Sequence, residues 1–209
     1  TKDGRGYNLL HLNALYDLES QLFLDAIIQN GREEHESRAL VELVDRSELT
    51  EPVILIADRG YGAYNNIAHI EQKGWNYLIR AKEKHGILSG LNLPDTPEFD
   101  ACFSYSLSKR LTNRIRKEPQ KYRWLPSKVQ FDYIRDASDD LYPLSFRVVR
   151  FLVKEDLYET VITNLPEASF PPSLLRMLYH KRWGIETAFR DLKYTLALTH
   201  FHAKKRSFI

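Results

Sequence analysis

Leu174-Leu-Arg-Met-Leu-Tyr-His-Lys-Arg-Trp-Gly-Ile-Glu-Thr-Ala-Phe-Arg-Asp-Leu-Lys193 carries its apolar residues at helical spacing. Leu174, Leu178, Ile185, Phe189, Leu192 and Leu196 fall on one side of a 3.6-residue wheel. Pro171-Pro172-Ser173 supplies a start, because proline suits a first helical turn and serine accepts orphan N–H groups. At about 100° per residue, Tyr179, Arg182, Glu186, Arg190 and Lys193 lie within roughly 40° of the Glu186 direction. Two readings fit this stripe. It is a solvated face with i,i+4 pairs Arg182–Glu186 and Glu186–Arg190, or it is a working surface. Gly184 costs about 1 kcal/mol relative to alanine inside a helix, and Trp183 lies at the stripe's edge; both weigh toward the second.

The spacing Tyr179-x2-Arg182-x3-Glu186-x6-Lys193 resembles, without a gap, the Tyr-Arg-Glu-Lys motif of bacterial insertion-sequence DDE transposases of the IS-four type. The resemblance implies that Glu186 is the last carboxylate of a catalytic triad. It also implies that Tyr179, Arg182 and Lys193 hold transposon-end DNA, with Arg190 beside them on the stripe.

Working outward, the 209 residues with 43% hydrophobic content suffice for one sizeable core. No apolar run approaches the roughly 18–20 residues that span a bilayer, and no secretory leader is expected. One cysteine, Cys102, excludes an internal disulfide framework and a Cys-based zinc site. A cytoplasmic protein is expected, nucleoid-associated in a bacterium if the resemblance holds. The net charge of +2 hides two basic stretches, 109–123 and 172–209, on an otherwise acidic chain. That distribution points to a polyanionic partner, with solvated charge clusters as the plain alternative.

Near the start, Leu9–Asp17 and Leu22–Gln29 read as two strands of a hairpin joined by Leu18-Glu-Ser-Gln21. Residues 31–46 change to helical period, with Ala39, Leu40, Leu43 and Val44 on the buried side. Val53-Ile-Leu-Ile-Ala57 is a continuous apolar run, as expected of a central strand covered on both faces. It ends in Asp58-Arg59-Gly60-Tyr61, at the strand edge where open α/β sheets collect ligands. A helix over 65–73 and a strand over 75–80 complete a βαβ unit. Asp58 is either a helix cap or a functional carboxylate. The Asp-Arg-Gly-Tyr sequence resembles the second triad position of the same transposases.

Residues 82–168 alternate with period two at Ala101/Phe103/Tyr105/Leu107, Val129/Phe131/Tyr133 and Leu144/Phe146/Val148. Phe151–Val153 and Thr160–Thr163 flank a further turn. These read as antiparallel strands of an inserted β-rich subdomain. Its basic run joins Lys109, Arg110, Arg114, Arg116 and Lys117 to Tyr122 and Trp124, a combination of phosphate-binding cations and stacking rings. A solvated loop is the other reading.

An aspartate at a strand end and a glutamate on a helix make chemical sense together as ligands of a hard divalent cation, Mg²⁺ or Mn²⁺. His200 and His202 have no third ligand in view. The resemblance implies an RNase H-like α/β core, a mixed sheet with flanking helices, from residues 1–81 and 169–209, interrupted by the insert at 82–168. Only two carboxylates of the triad are placed. The family's first aspartate lies on a strand before the hairpin, so it is expected upstream of Thr1, and residues 1–209 alone are expected to be inactive. Asp3 lacks a preceding strand and Asp17 lacks a motif. The expected function is DNA cleavage and strand transfer on double-stranded transposon ends and target, by a homodimer without membrane contact. An RNase H-like nuclease or resolvase and a non-catalytic DNA-binding relic are the alternatives.

Overall fold

The computed structural model describes residues 10–30, 35–83 and 86–195. Asp3, Leu196, the expected helix extension to residue 198 and the His200/His202 pair lie outside them. The chain forms two compact units, residues 1–47 with 180–209, and residues 48–179. Among the described residues, no helix is long and apolar enough to cross a membrane.

In the first unit, β1 (Leu10–Asp17) and β2 (Leu22–Asn30) form the expected antiparallel hairpin. Alternate residues of β2 are half-buried, as period two requires when one face is covered. Asp17 closes the turn. Its carboxylate accepts from the backbone N–H groups of Glu19 at 3.0 Å and Ser20 at 3.3 Å, and from the Ser20 hydroxyl. The hydroxyl bond and then the Glu19 bond hold this carboxyl below its ordinary value. Asp17 is therefore a turn-forming residue. The helix α1 (Glu36–Arg46) buries the four residues its period marks: Ala39, Leu40, Leu43 and Val44. Arg46 forks onto Asp25 of β2 through two 2.7 Å hydrogen bonds.

The helix expected without interruption over 174–198 is two helices, α4 (Pro172–His180) and α5 (Trp183–Tyr194). Around Lys181 and Arg182 the bonds tighten to i→i−3, with Gly184 N–H on Lys181 O at 2.9 Å and Ile185 N–H on Arg182 O at 3.3 Å. A tightened turn holds about 3.0 residues rather than 3.6. The angular count that put Tyr179 on the Glu186 stripe does not run through it. Gly184 has a packing cause: a Cβ there would stand 2.9 Å from Leu18 Cδ2 and 4.0 Å from Tyr16 Cε1. The glycine lets α5 approach the hairpin, where Phe189 meets Phe23 at 5.7 Å and Phe23 meets Tyr16 at 5.0 Å between ring centres.

The second unit is one six-stranded mixed sheet of order β3-β4-β8-β7-β5-β6. It comprises β3 (Ile54–Ala57), β4 (Asn76–Arg80), β5 (Phe99–Ser108), β6 (Tyr122–Trp124), β7 (Leu141–Lys154) and β8 (Leu157–Thr163). The strands of the expected insert thus continue the sheet of β3 and β4, joined where Leu78, Ile79 and Arg80 pair with Thr163, Ile162 and Val161. Among the described residues β3 pairs with β4 alone and stands at one side of the sheet, where a central strand was expected. Its run is apolar because both faces are covered: Leu55 and Ala57 are buried, and Ile54 and Ile56 pack on the core under α4. The other face of β4 carries Tyr77 and Ile79, fully buried, and Tyr77 donates its hydroxyl to Glu71 of α2 (Tyr64–Gln72).

Val129/Phe131/Tyr133 is not a strand but an irregular segment. Asp132 pins it to α2: its carboxylate accepts from Asn65 Nδ2 at 2.8 Å and pairs with His69 Nε2 at 3.0 Å, while its N–H donates to Asn65 Oδ1 at 2.8 Å. Phe131 and Tyr133 pack on Tyr142 at 5.2 and 5.5 Å. The apolar alternation was real, but side-chain anchors replaced the ladder.

Two outcomes follow from these contacts. In urea unfolding, Gly184→Ala gains about 1 kcal/mol from helix propensity and loses a comparable amount by displacing Leu18, so its net change is small. In a Leu18→Ala background the same substitution stabilises by about 1 kcal/mol; equal effects in both backgrounds would refute the close approach. Burial alone would raise the Asp132 carboxyl, but hydrogen bonds from Asn65, Gln130 and His69 outweigh it and hold the group below its ordinary value of 3.8. Stability from a depressed carboxyl is present above the unfolded-state value and is lost as pH falls through the folded one. Asp132→Asn should therefore be about 1–2 kcal/mol less stable at neutral pH and lose less stability than wild type on acidification below about pH 4. Melting curves across that range are the measurement, and parallel acid limbs would count against the assignment.

Candidate active site

Asp58 sits at the C-terminal end of β3, half-buried. Its Oδ1 accepts from Arg59 N–H at 2.7 Å and caps the short 3₁₀ turn Arg59–Tyr61. The capping role is real, yet it uses one oxygen. Among the described residues no cation pairs with this carboxylate, which leaves Oδ2 available as a hard oxygen ligand.

Glu186 lies in the first turn of α5, where the helix dipole favours negative charge. Arg182 Nη1 donates to its Oε1 at 2.7 Å. The two partners differ in setting: the Arg182 side chain is 13% exposed and that of Glu186 46%. The Arg182 guanidinium also covers the Trp183 ring at 5.0 Å. A largely buried guanidinium thus holds a largely accessible carboxylate, which is how a positioned ligand differs from a mobile surface pair. Arg190 and Lys193 follow on α5 and are exposed.

Tyr179 departs from expectation. It is 4% exposed and belongs to the core of the second unit with Leu78, Val149, Phe151, Val161, Leu165 and Leu175. Leu175 and Tyr179 are the buried residues of α4, while Leu174 and Leu178 are half-buried. A tyrosine ring buries as much apolar surface as a core residue, and helical period could not separate that use from DNA contact.

The basic run is only partly open. Lys109 is buried, donating to Val129 O at 2.5 Å and pairing with Asp136 at 3.2 Å. Arg110 forks onto Asp139 at 2.8 Å. Arg114 stands 3.9 Å from Glu118 and covers the Tyr122 ring at 5.1 Å. Arg116 and Lys117 end the short helix α3 (Asn113–Lys117) and face solvent. Lys109 therefore serves the fold, and Arg110, Arg114, Arg116 and Lys117 are the members within reach of a polyanion.

Sequence reading passed over a cleft of about 570 Å³ lined by Arg59, the residue that follows Asp58, and by Arg80, Lys82, Glu83, Tyr158 and Glu159. Arg59 was in view within the Asp-Arg-Gly-Tyr motif. Arg80 and Lys82 at the end of β4 were the remaining signal. Among the described residues, no three His, Cys, Asp or Glu side chains gather as a metal site.

The family described as "Transposase DDE domain" matches residues 1–209. No curated protein matches the chain. The six-stranded mixed sheet with flanking helices agrees with the RNase H-like fold of DDE transposases. Membership implies a DNA-binding enzyme of the nucleotidyl-transferase kind. On these grounds the chain belongs to the DDE transposase family, whose function is DNA transposition.

Proposed function

We propose that this chain is the catalytic region of an IS-four-type insertion-sequence transposase in which Asp58 and Glu186 are two of three carboxylates that hold Mg²⁺ or Mn²⁺. The observation that carries the reading is the head of α5, where Arg182 and Glu186, two of the four motif residues, meet at 2.7 Å with Glu186 still accessible. The donor set fits a hard divalent cation in kind, since both groups offer carboxylate oxygens. When bound, such ions activate an attacking water or 3′-OH and stabilise the leaving 3′ oxygen of an in-line displacement.

The protein's own residues do the rest. Arg182 orients Glu186 and compensates its charge. Arg190 and Lys193 on α5, and Arg110, Arg114, Arg116 and Lys117 on the second unit, meet phosphates and fix register without reading sequence. Tyr179 contributes by anchoring α4 in the core. The third carboxylate comes from a strand preceding the hairpin. The active form is a homodimer on transposon ends, in the bacterial nucleoid.

Residues 1–209 alone should not nick duplex DNA, whereas the full-length protein should do so with Mg²⁺ or Mn²⁺. Glu186→Gln should lower that activity more than about 100-fold, beyond the usual effect of an outer-shell group. Robust cleavage by residues 1–209 would mean that the third ligand lies within them. A full-length protein that binds DNA but never cuts would favour the relic.

A second measurement does not need activity. Fe²⁺ substituted for Mg²⁺, with ascorbate and peroxide, should cut the polypeptide near both residue 58 and residue 186, and excess Mg²⁺ should suppress both cuts. Carboxylates sharing two ions about 3.5–4 Å apart lie within reach of the same radicals. Cutting at only one of the two positions would separate Asp58 from the metal site of Glu186.

A further inference from the structure

We propose that the cleft at the C-terminal ends of β3 and β4 is a phosphate-binding subsite that holds the DNA strand beside Asp58, with Arg59, Arg80 and Lys82 as its cations. The inference rests on the transposase reading above and adds to it a strand-positioning site outside the helix motif.

Backbone geometry assembles the cations. Arg59 follows Asp58 directly in the 3₁₀ turn. Arg80 ends β4, and Ala81 N–H still bonds Thr160 O at 2.8 Å, so the extended ladder continues past the strand end. Residues two apart on extended backbone project to one side. Ala81 is accordingly buried while Lys82 is exposed and Arg80 half-buried. β3 and β4 are parallel, so their C-terminal ends open on the same sheet edge, the usual place for ligands in such sheets.

The charges are unequally committed. Arg80 pairs with Glu159 at 3.3 Å, and Arg150 with Glu83 at 3.6 Å. Among the described residues, Arg59 and Lys82 have no ion-pair partner. Two uncommitted cations and a third held by one carboxylate suit a single phosphodiester, which can take Arg80 from Glu159. The volume of about 570 Å³ is in the range of small-ligand sites, enough for a nucleotide rather than an ion alone. Tyr158 adds a ring to the wall, fixed by the Arg150 guanidinium 5.2 Å above it, and a sugar or base can pack on such a surface. Lys109 of the basic run, by contrast, is buried and already spent on Asp136 and the Val129 carbonyl.

The test is a salt titration of the full-length protein on a fluorescein-labelled duplex oligonucleotide, read by anisotropy. Each lost phosphate contact should flatten the log–log slope by about 0.9. Arg59→Gln and Lys82→Gln should each do so by about one unit, the double variant by about two, with melting temperatures unchanged. Lys82→Arg should keep the wild-type slope. If wild type binds steeply and cuts DNA while both glutamine variants keep its slope, the subsite is wrong and the transposase reading stands. If wild type shows no salt-dependent binding, both fall together.

Discussion

The pairing of β4 with β8 is the constraint on which the second unit depends. β4 lies parallel to β3 on one side and antiparallel to β8 on the other, so it joins a βαβ unit to a set of antiparallel strands more than 80 residues later. Two side chains lock the junction. Thr163 Oγ1 donates to Tyr77 O at 2.5 Å, and Asn164 Oδ1 accepts from Tyr77 N–H at 3.0 Å. Tyr77, Leu78, Ile79 and Ile162 are fully buried around it. Backbone groups in such a place have no water to turn to, so the ladder must be complete.

From that junction the supports of the site follow. The end of β4 sets where Arg80 and Lys82 emerge, and its pairing with β3 sets where Asp58 stands. On the far side of β8, Arg147 of β7 is buried against Asp100 and donates to Leu165 O at 2.6 Å and Phe170 O at 3.2 Å. These bonds tie down the loop that leads into α4. A buried charge pair is tolerated because the guanidinium's remaining donors find carbonyls. The approach to α4 is thus held by buried donors that find acceptors within the second unit.

Charge in this protein has two uses that composition cannot distinguish. Lys109 and Arg46 hold segments of the chain together through carboxylates 27 and 21 residues away and through backbone carbonyls. Arg116, Lys117, Arg59 and Lys82 face outward. Only the second group can trade counterions for phosphates, and so the basic stretches overstate the surface open to DNA.

By itself the sequence determined the elements whose causes are local. The four buried residues of α1, the β1–β2 hairpin, the apolar β3 and β4, and the Arg182–Glu186 pair all follow from spacing, because neighbours at i+2 or i+4 share a face whatever the rest of the chain does. Tertiary structure decided what spacing leaves open. Tyr179 fills the core because Leu78 and Val161 meet it there; among the described residues β3 has β4 as its one neighbour although its apolar run suited a centre. Val129–Tyr133 is irregular because Asn65 and His69 capture Asp132. Gly184, costly for a helix on its own, leaves room for Leu18 of the hairpin turn, whose Cδ2 lies 2.9 Å from where a Cβ would stand. Each of these depends on a partner distant in the chain, and periodicity records which residues are apolar or charged without recording what they will meet.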